Sequence, residues 1–346
     1  MTKGKVAVAL SGGVDSAVTA ALLLEDGYEV VGITGKMTCS EDFEQVVLNA
    51  KNVANKLGIE HYVVDSTKLF DEKIIKYFEE SYCIGETPNP CIMCNKYIKW
   101  GQIFDYAIKE LGCDYIATGH YANILKKDGF YKLYPASDEH KDQLYFLFLL
   151  DQNHLAKTLF PLSKYKKAEV RELAEKYSLP PKSAKESQDI CFIKYPMTTK
   201  KYLNNIFEPK IGNFVQKSTG KILGKHEGFW QYTIGQRKGI GLAAPEALYV
   251  VDIDSKTNTV FVGYQNELFE KQLVLKNVDW NYDFPNEEFE SFVKIRYNMK
   301  YCKAHVSKKE NEWIVTFEEP VSAITKGQAC VFYDLNDGHL LGGGFI

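Results

Sequence analysis

Hydrophobic positions in the first half of the chain fall into short continuous runs, each followed by a stretch with helical spacing. Residues 5–10 (KVAVAL) read as a strand, and residues 17–25 (AVTAALLLE) as an Ala/Leu-rich helix closed near Gly27. Residues 29–34 predict a second strand, 45–57 a helix stopped at Gly58, 61–65 a third strand and 114–118 a later one. Runs that are apolar throughout, rather than alternating, suit strands buried on both faces. This strand–helix rhythm predicts an α/β domain, a doubly wound parallel sheet.

From about residue 211 the texture becomes strand-rich, at 248–253, 259–262, 292–296, 313–317 and 329–333. Turn chemistry such as Asp254-Ser255-Lys256-Thr257-Asn258 separates these runs. Small β-rich units are expected there, the last one barrel-like. The expected division is 1–204 for the α/β catalytic domain, 205–267 for a small central domain and 268–346 for a C-terminal β-barrel domain.

A length of 346 residues agrees with two or three domains. No segment approaches the roughly 18 apolar residues of a membrane span. The run at 5–10 follows Lys3 and Lys5 and enters glycines, unlike a secretory leader, so a cytoplasmic protein is expected. Net charge is −3, from 42 basic and 45 acidic residues, which does not announce a nucleic-acid binder. Local clusters such as Lys164, Lys166, Lys167 and Arg171, or Arg237 and Lys238, could serve one, although a solvated face is the plainer reading. The eight cysteines of a cytosolic chain are not a disulfide framework. Cys39, Cys83, Cys113, Cys302 and Cys330 read as structural.

Between the first strand and its helix lies Leu10-Ser11-Gly12-Gly13-Val14-Asp15-Ser16. In a parallel sheet this is the carboxyl edge, where ligands bind. Glycines let the backbone approach an anion, and N–H groups, hydroxyls and the positive helix end cradle phosphate. The string is neither G-x-x-x-x-G-K-[ST] nor G-x-G-x-x-G. It resembles the S-G-G-x-D-S signature of the PP-loop ATP pyrophosphatases, of adenine nucleotide alpha hydrolase-like fold. That resemblance implies cleavage between the α- and β-phosphates, leaving an adenylylated substrate.

Pro88 and Pro90 predict a rigid extended loop ahead of Cys91 and Cys94, with Asn95 suited to cap the next helix. Cys94 is then expected close to a helix N-terminus, where a thiolate is favoured. Farther on, Cys191 sits in D-I-C-F-I.

T-P-N-P-x-x-x-C-N-K-x-I-K, A-T-G-H-Y, K-D-Q-x-Y-F-L, D-I-C-F-I, G-Q-R-K-G-I-G and L-G-G-G occur in this order from residue 87 to the end. Together with the phosphate loop they resemble the bacterial and organellar tRNA-specific 2-thiouridylases. The resemblance implies a tRNA-uridine 2-sulfurtransferase that adenylylates uridine C2 oxygen, at the wobble position, and transfers sulfur to C2. Cys191 resembles the cysteine that receives sulfur as a persulfide, and Cys94 its partner. Ala9, Leu10, Ser11, Gly12, Gly13, Val14, Asp15 and Ser16, with Gly35 and Gly119, would bind ATP, with Mg2+ on the phosphates and Asp15 as a ligand. Asn89, Pro90 and Cys91 would line the target base. His120, Lys141, Asp142, Gln143, Arg296, Tyr297 and Gln328 would contact tRNA. The implied partners are tRNAs of the Lys, Glu and Gln acceptors and a sulfur-donor protein or sulfide source; the expected state is a monomer away from membranes.

Two departures matter. The family often has Asp where this chain has Cys91, and Cys91, Cys94 and Cys191 together suit either a persulfide relay or the ligation of an iron–sulfur cluster. A zinc half-site is a third reading without a visible fourth ligand. Gly35 stands where members commonly place a Met against the adenine, and Met37 is its candidate replacement. Another PP-loop ligase, or a tRNA-binding protein without catalysis, would be the rival functions.

Overall fold

The computed structural model describes residues 2–179, 190–193, 196–284 and 286–346; Glu186, Ser187, Gln188 and Asp189, which precede Cys191, lie outside these residues. Strands β1 (Lys5–Ala9), β2 (Glu29–Lys36), β3 (His61–Asp65), β4 (Tyr115–Ala117) and, after a hairpin of β5 (Asn123–Lys127) and β6 (Phe130–Tyr134), β7 (Thr158–Leu159) build the first domain. The order β3-β2-β1-β4-β7 is parallel at every pairing. β1 lies between β2 and β4, so the chain leaves β1 at the point where strand order reverses. That is where doubly wound sheets bind ligands.

β1 is covered on both faces, as its unbroken apolar run predicts. Val6 and Val8 pack with Ala17 and Val18 of α1 (Val14–Glu25), Val53 of α2 (Glu41–Leu57) and, farther along, Val170. Ala7 joins the opposite core with Ile33, Ile98, Trp100 and Ile103. Both helices begin about a turn earlier than the 17–25 and 45–57 expected from the sequence, taking in Val14-Asp15-Ser16 and Glu41-Asp42-Phe43-Glu44. α2 ends at Gly58 in the left-handed region (φ 69°), as a glycine stop requires.

The central sheet has β8 (Gly212–Gln216), β9 (Ile222–His226), β10 (Tyr249–Asp254) and β11 (Thr259–Gly263), in the order β10-β11-β8-β9. The C-terminal sheet is antiparallel. It comprises β12 (Phe269–Leu275), β13 (Asp279–Trp280), β14 (Glu288–Lys294), β15 (Cys302–Lys309), β16 (Glu312–Ser322), β17 (Ala329–Tyr333) and β18 (Leu340–Phe345), in the order β12-β16-β15-β14-β17-β18-β13. Gly342, Gly343 and Gly344 are not a tight turn but lie inside β18. A Cβ on Gly342 would meet Asp279 O at 2.3 Å, and one on Gly344 would meet Asn277 O at 2.2 Å. Close passage of residues 277–280 requires glycine there.

The C-terminal sheet is bound to the first domain. Ala329, Val331 and Tyr333 enter the core that holds Trp100, and Tyr145 Oη donates to Ala329 O at 3.0 Å. Among the described residues no helix is long and apolar enough to cross a membrane.

Candidate active site

The loop after β1 is built by its own side chains. Ser16 Oγ donates to Gly13 O at 3.0 Å and accepts from Ser11 N at 3.2 Å. Thr34 Oγ1 donates to Leu10 O at 2.7 Å, tying the loop to β2. Gly12 has φ 68°, and a Cβ there would come within 2.5 Å of Asn49 Cβ, so α2 presses on the turn. Gly13 caps α1 without any side-chain acceptor, which leaves the first N–H groups of the helix for an anion. Gly119 closes the other side: a Cβ on it would lie 2.9 Å from Asp15 C and 3.0 Å from Ser16 N. Gly35 has a packing reason instead, since a Cβ there would meet Ile103 Cδ1 at 2.9 Å. Met37 packs at the edge of the same core.

The thiol segment differs from expectation at its cap. The helix α3 opens at Pro90–Cys94, with Asn89 as its N-cap accepting from Cys91 N at 3.2 Å, and continues with π geometry over Asn95–Ile103. Asn95 is inside the helix; its side chain donates to Phe146 O at 2.9 Å. Cys91, not Cys94, therefore sits in the first turn. Cys94 is buried at the end of that turn, and burial pushes its thiol up to about 11. Burial thus opposes the Cys94 thiolate that a helix start would favour.

Cys191 lies within a short turn in which Ile193 N donates to Ile190 O at 2.9 Å. The next residue anchors it: the Phe192 ring lies 5.9 Å from Phe70, 5.3 Å from Phe78 and 5.9 Å from Tyr202, all edge-on. Cys191 is exposed to solvent. The surrounding protein, then the neighbouring Cys94 and Cys91, raise its thiol to about 12. Cys91 is likewise raised, chiefly by desolvation. The Lys99 charge opposes the rise at all three thiols. The three cysteines thus form one electrostatic neighbourhood around Lys99.

That neighbourhood reaches the phosphate loop through His120. Lys99 Nζ lies 3.3 Å from His120 Nε2, and His120 Nδ1 lies 2.7 Å from Thr118 Oγ1. An ammonium only donates, so Nε2 accepts and Nδ1 carries the proton. Burial, then Lys99, holds His120 well below the usual histidine range. His120 is one residue from Gly119, which abuts Asp15.

The other expected tRNA contacts are largely committed to the protein. His120 is 8% exposed. Asp142 accepts from Ala136 N at 3.0 Å and Leu144 N at 3.2 Å, and burial raises its carboxyl to about 6. Gln143 Oε1 accepts from Tyr121 N at 3.0 Å. Tyr121 is buried, and its hydroxyl donates to Asp15 Oδ1 at 3.0 Å. Tyr297 lies 4.6 Å from the Phe146 ring. Arg296 Nη1 donates to Ser322 O at 2.9 Å, and Gln328 Nε2 to Thr87 O at 2.7 Å. Arg296, Gln328 and Thr87 nevertheless line one cavity of about 460 Å³ with Thr233 and Gly235, where all three domains meet. Arg237 and Lys238 are exposed on a loop whose Gly235, Gly239 and Gly241 have positive φ.

Lys99, Thr118 and Phe192 were not assigned roles by sequence reasoning, although all three lie inside the quoted strings. The strings mark them; only the fold gives them partners.

No single ion suits the three thiols. Ligands of one ion share a centre about 2.3 Å from each sulfur, and the group of that compactness among the described residues is Asp334, Asp337 and His339. That group is spent on protein contacts: Asp337 accepts from Lys127 Nζ at 3.1 Å and from Tyr134 Oη at 3.2 Å. An iron–sulfur cluster would take Cys91, Cys94 and Cys191 as thiolates, its iron removing their protons, with the Lys99 charge acting on all three.

Comparison with known proteins gives a consistent assignment. Residues 4–195 match a family described as a tRNA methyl transferase HUP domain, 200–264 its PRC-barrel domain, and 270–346 an aminomethyltransferase β-barrel domain. The tRNA-specific 2-thiouridylase MnmA of Carboxydothermus hydrogenoformans is 46% identical over 99% of this chain and 97% of its own length. That of Clostridium acetobutylicum is 45% identical over 99% of each chain. That of Nostoc punctiforme is 42% identical over 99% of this chain and 98% of its own. The domain descriptions carry the word methyltransferase, but the full-length relatives are thiouridylases. This chain is a member of the tRNA-specific 2-thiouridylase family.

Proposed function

We propose that the chain converts the wobble uridine of tRNA, in the anticodon loop of Lys, Glu and Gln acceptors, to 2-thiouridine at the expense of ATP. A base in a loop can be splayed into a pocket without opening a duplex. The loop from Ala9 to Ser16 holds the triphosphate. Uridine O2 attacks the α-phosphate, pyrophosphate leaves, and O2 carries AMP, a far better leaving group than oxide. Magnesium, when bound, would neutralise phosphate charge, and the Asp15 carboxylate at the loop is the residue to hold it.

Sulfur arrives as a Cys191 persulfide: the Cys191 sulfur attacks the outer sulfur of a donor protein's persulfide, the donor's S–S bond breaks, and the donor leaves as a thiol. The terminal sulfur of the Cys191 persulfide attacks C2, the C2–O2 bond breaks, and AMP departs. Cys94 sulfur then attacks the Cys191 sulfur, breaking the S–S bond. The electron pair stays on the transferred sulfur as 2-thiouridine, and Cys94 and Cys191 remain joined as a disulfide that an external thiol reduces. Because the resting thiols are protonated, Cys94 must lose its proton at that step, and the Lys99 cation lowers the cost of the anion.

One observation carries this reading. The three thiols share Lys99, Lys99 binds His120, and adjacent Gly119 abuts the phosphate loop at Asp15. The test combines purified protein, unmodified tRNA, ATP, a persulfide-charged sulfur-donor protein and a reducing thiol. Nucleoside mass spectrometry should find 2-thiouridine, with pyrophosphate released in step. Pyrophosphate without thiolated uridine, or neither product, defeats the reading.

A further inference from the structure

Lys167 opens the helix α4 (Lys167–Lys176), and its backbone N–H is fixed by Asp138 Oδ2 at 2.8 Å. Its ammonium does not turn to solvent. Nζ lies 2.7 Å from Oδ1 and 2.8 Å from Oδ2 of Asp15, with the Lys167 side chain 12% exposed. Tyr121 Oη donates to the same carboxylate at 3.0 Å, and its ring centre lies 6.0 Å from the ammonium. An element far along the chain thus delivers a cation into the turn that the serines and glycines shape for an anion.

The pairing raises a conflict that nucleotide entry must resolve. A carboxylate at the mouth of an anion loop repels a triphosphate, and Asp15 stands in the first turn of the helix that would hold it. Lysine is suited to change partner here. Its charge is a point on a flexible four-carbon stem with three donors, so it can move a few ångströms while α4 stays in place.

Resting on the ATP-dependent reading above, we propose that Lys167 is a nucleotide-binding residue. Its ammonium passes from Asp15 to the terminal phosphates of ATP, the part that leaves as pyrophosphate. The Asp15 carboxylate is thereby released for the hydrated divalent cation that accompanies the triphosphate. No bond is made or broken; one ion pair is exchanged for another.

The test is calorimetric binding to the full-length protein, with Mg2+-ATP and with AMP. Wild type should bind ATP; if it does not, the ATP-dependent reading itself fails. Lys167→Met should weaken ATP about 10- to 100-fold, the range for a lost hydrogen bond to a charged group, while AMP stays within about twofold. Lys167→Arg should recover most of the loss. Because Met also leaves Asp15 uncompensated, the comparison is repeated on Asp15→Asn. A persisting loss of ATP affinity in the double variant supports phosphate contact. Equal ATP affinity in wild type and Lys167→Met overturns the proposal. So does an equal loss for AMP, or a loss that vanishes on Asp15→Asn, since Lys167 would then only neutralise Asp15. Thermal melts of each variant separate lost binding from lost folding.

Discussion

The Lys99 ammonium sits 3.3 Å from the imidazole Nε2 of His120, and no carboxylate partners it among the described residues. A buried neutral histidine is thereby pinned between a cation and the Thr118 hydroxyl. The same charge acts on the sulfurs of Cys91, Cys94 and Cys191, opposing the rise that burial imposes on them.

His120 should stay neutral far into acid. Its folded value is lowered by burial and by Lys99, so the unfolded chain takes up a proton first as pH falls below about 6.5. Stability from this group is present above 6.5 and is lost below it, by up to about 1.4 kcal/mol per pH unit until the folded value is reached. Asp142 works the other way: raised to about 6, it contributes stability at low pH that is lost as pH rises from 3.8 through 6. An NMR titration of the His120 ring should give a midpoint well below the ordinary histidine value, and Lys99→Met should move that midpoint upward. A wild-type midpoint near 6.5 would contradict the burial and the Lys99 contact.

Serine at Cys94 or Cys191 should separate the two half-reactions. Neither sulfur takes part in adenylylation, so pyrophosphate release should survive within about threefold. Thiolation should fall by roughly three orders of magnitude or more, as for loss of an essential nucleophile. Cys91→Ser is the control. In a relay through Cys94 and Cys191 it keeps most activity, whereas a three-cysteine cluster would lose iron and activity together. Iron analysis and visible spectra of the anaerobically purified protein report on that second outcome directly.

Gly119→Ala should disable the nucleotide site without touching a thiol. The added methyl would lie 2.9 Å from Asp15 C and 3.0 Å from Ser16 N, against backbone rather than a movable side chain. Overpacking of this kind costs about 1–3 kcal/mol. Here it falls on the turn that holds phosphate. ATP affinity should drop about tenfold or more while alkylation rates of the cysteines stay unchanged. Normal ATP binding would mean that the loop relaxes freely.

Much of this site was legible in the sequence because it is continuous there. The unbroken run through Val6 and Val8 announced a strand buried on both sides, and the glycines and serines after it announced an anion turn. The helix start was misplaced for an instructive reason. Asn89 before Pro90 is a cap followed by proline at the first helical position, a recognisable start signal, but Asn95 after two cysteines drew attention from it. The π geometry over Asn95–Ile103 could not be read, because an i→i+5 ladder leaves no periodic mark distinct from an ordinary helix. Lys167 looked like one more lysine of a solvated basic run. The order β1-β4-β7, with α4 following β7, brings it against Asp15. β9 and β15 were missed because Lys225, Lys303, Lys308 and Lys309 break the apolar pattern on strands whose outer faces are wet.

Phe192→Ala tests whether the position of Cys191, rather than its chemistry alone, governs sulfur transfer. The ring is held edge-on by Phe70, Phe78 and Tyr202, and it is the next residue to the thiol. Each such aromatic contact contributes about 0.5–1.5 kcal/mol beyond its buried area. The whole truncation should cost about 2–3 kcal/mol, less than a fully buried Phe because this one is half-buried. If the ring fixes the turn, most of that loss falls on the turn itself. Single-turnover sulfur transfer should then slow about tenfold or more, while pyrophosphate release and ATP affinity remain as in wild type. Phe192→Leu, which restores bulk without the edge-on geometry, should recover part of the rate. A variant that melts earlier but transfers sulfur at the wild-type rate would show that the turn holds Cys191 in place without this ring.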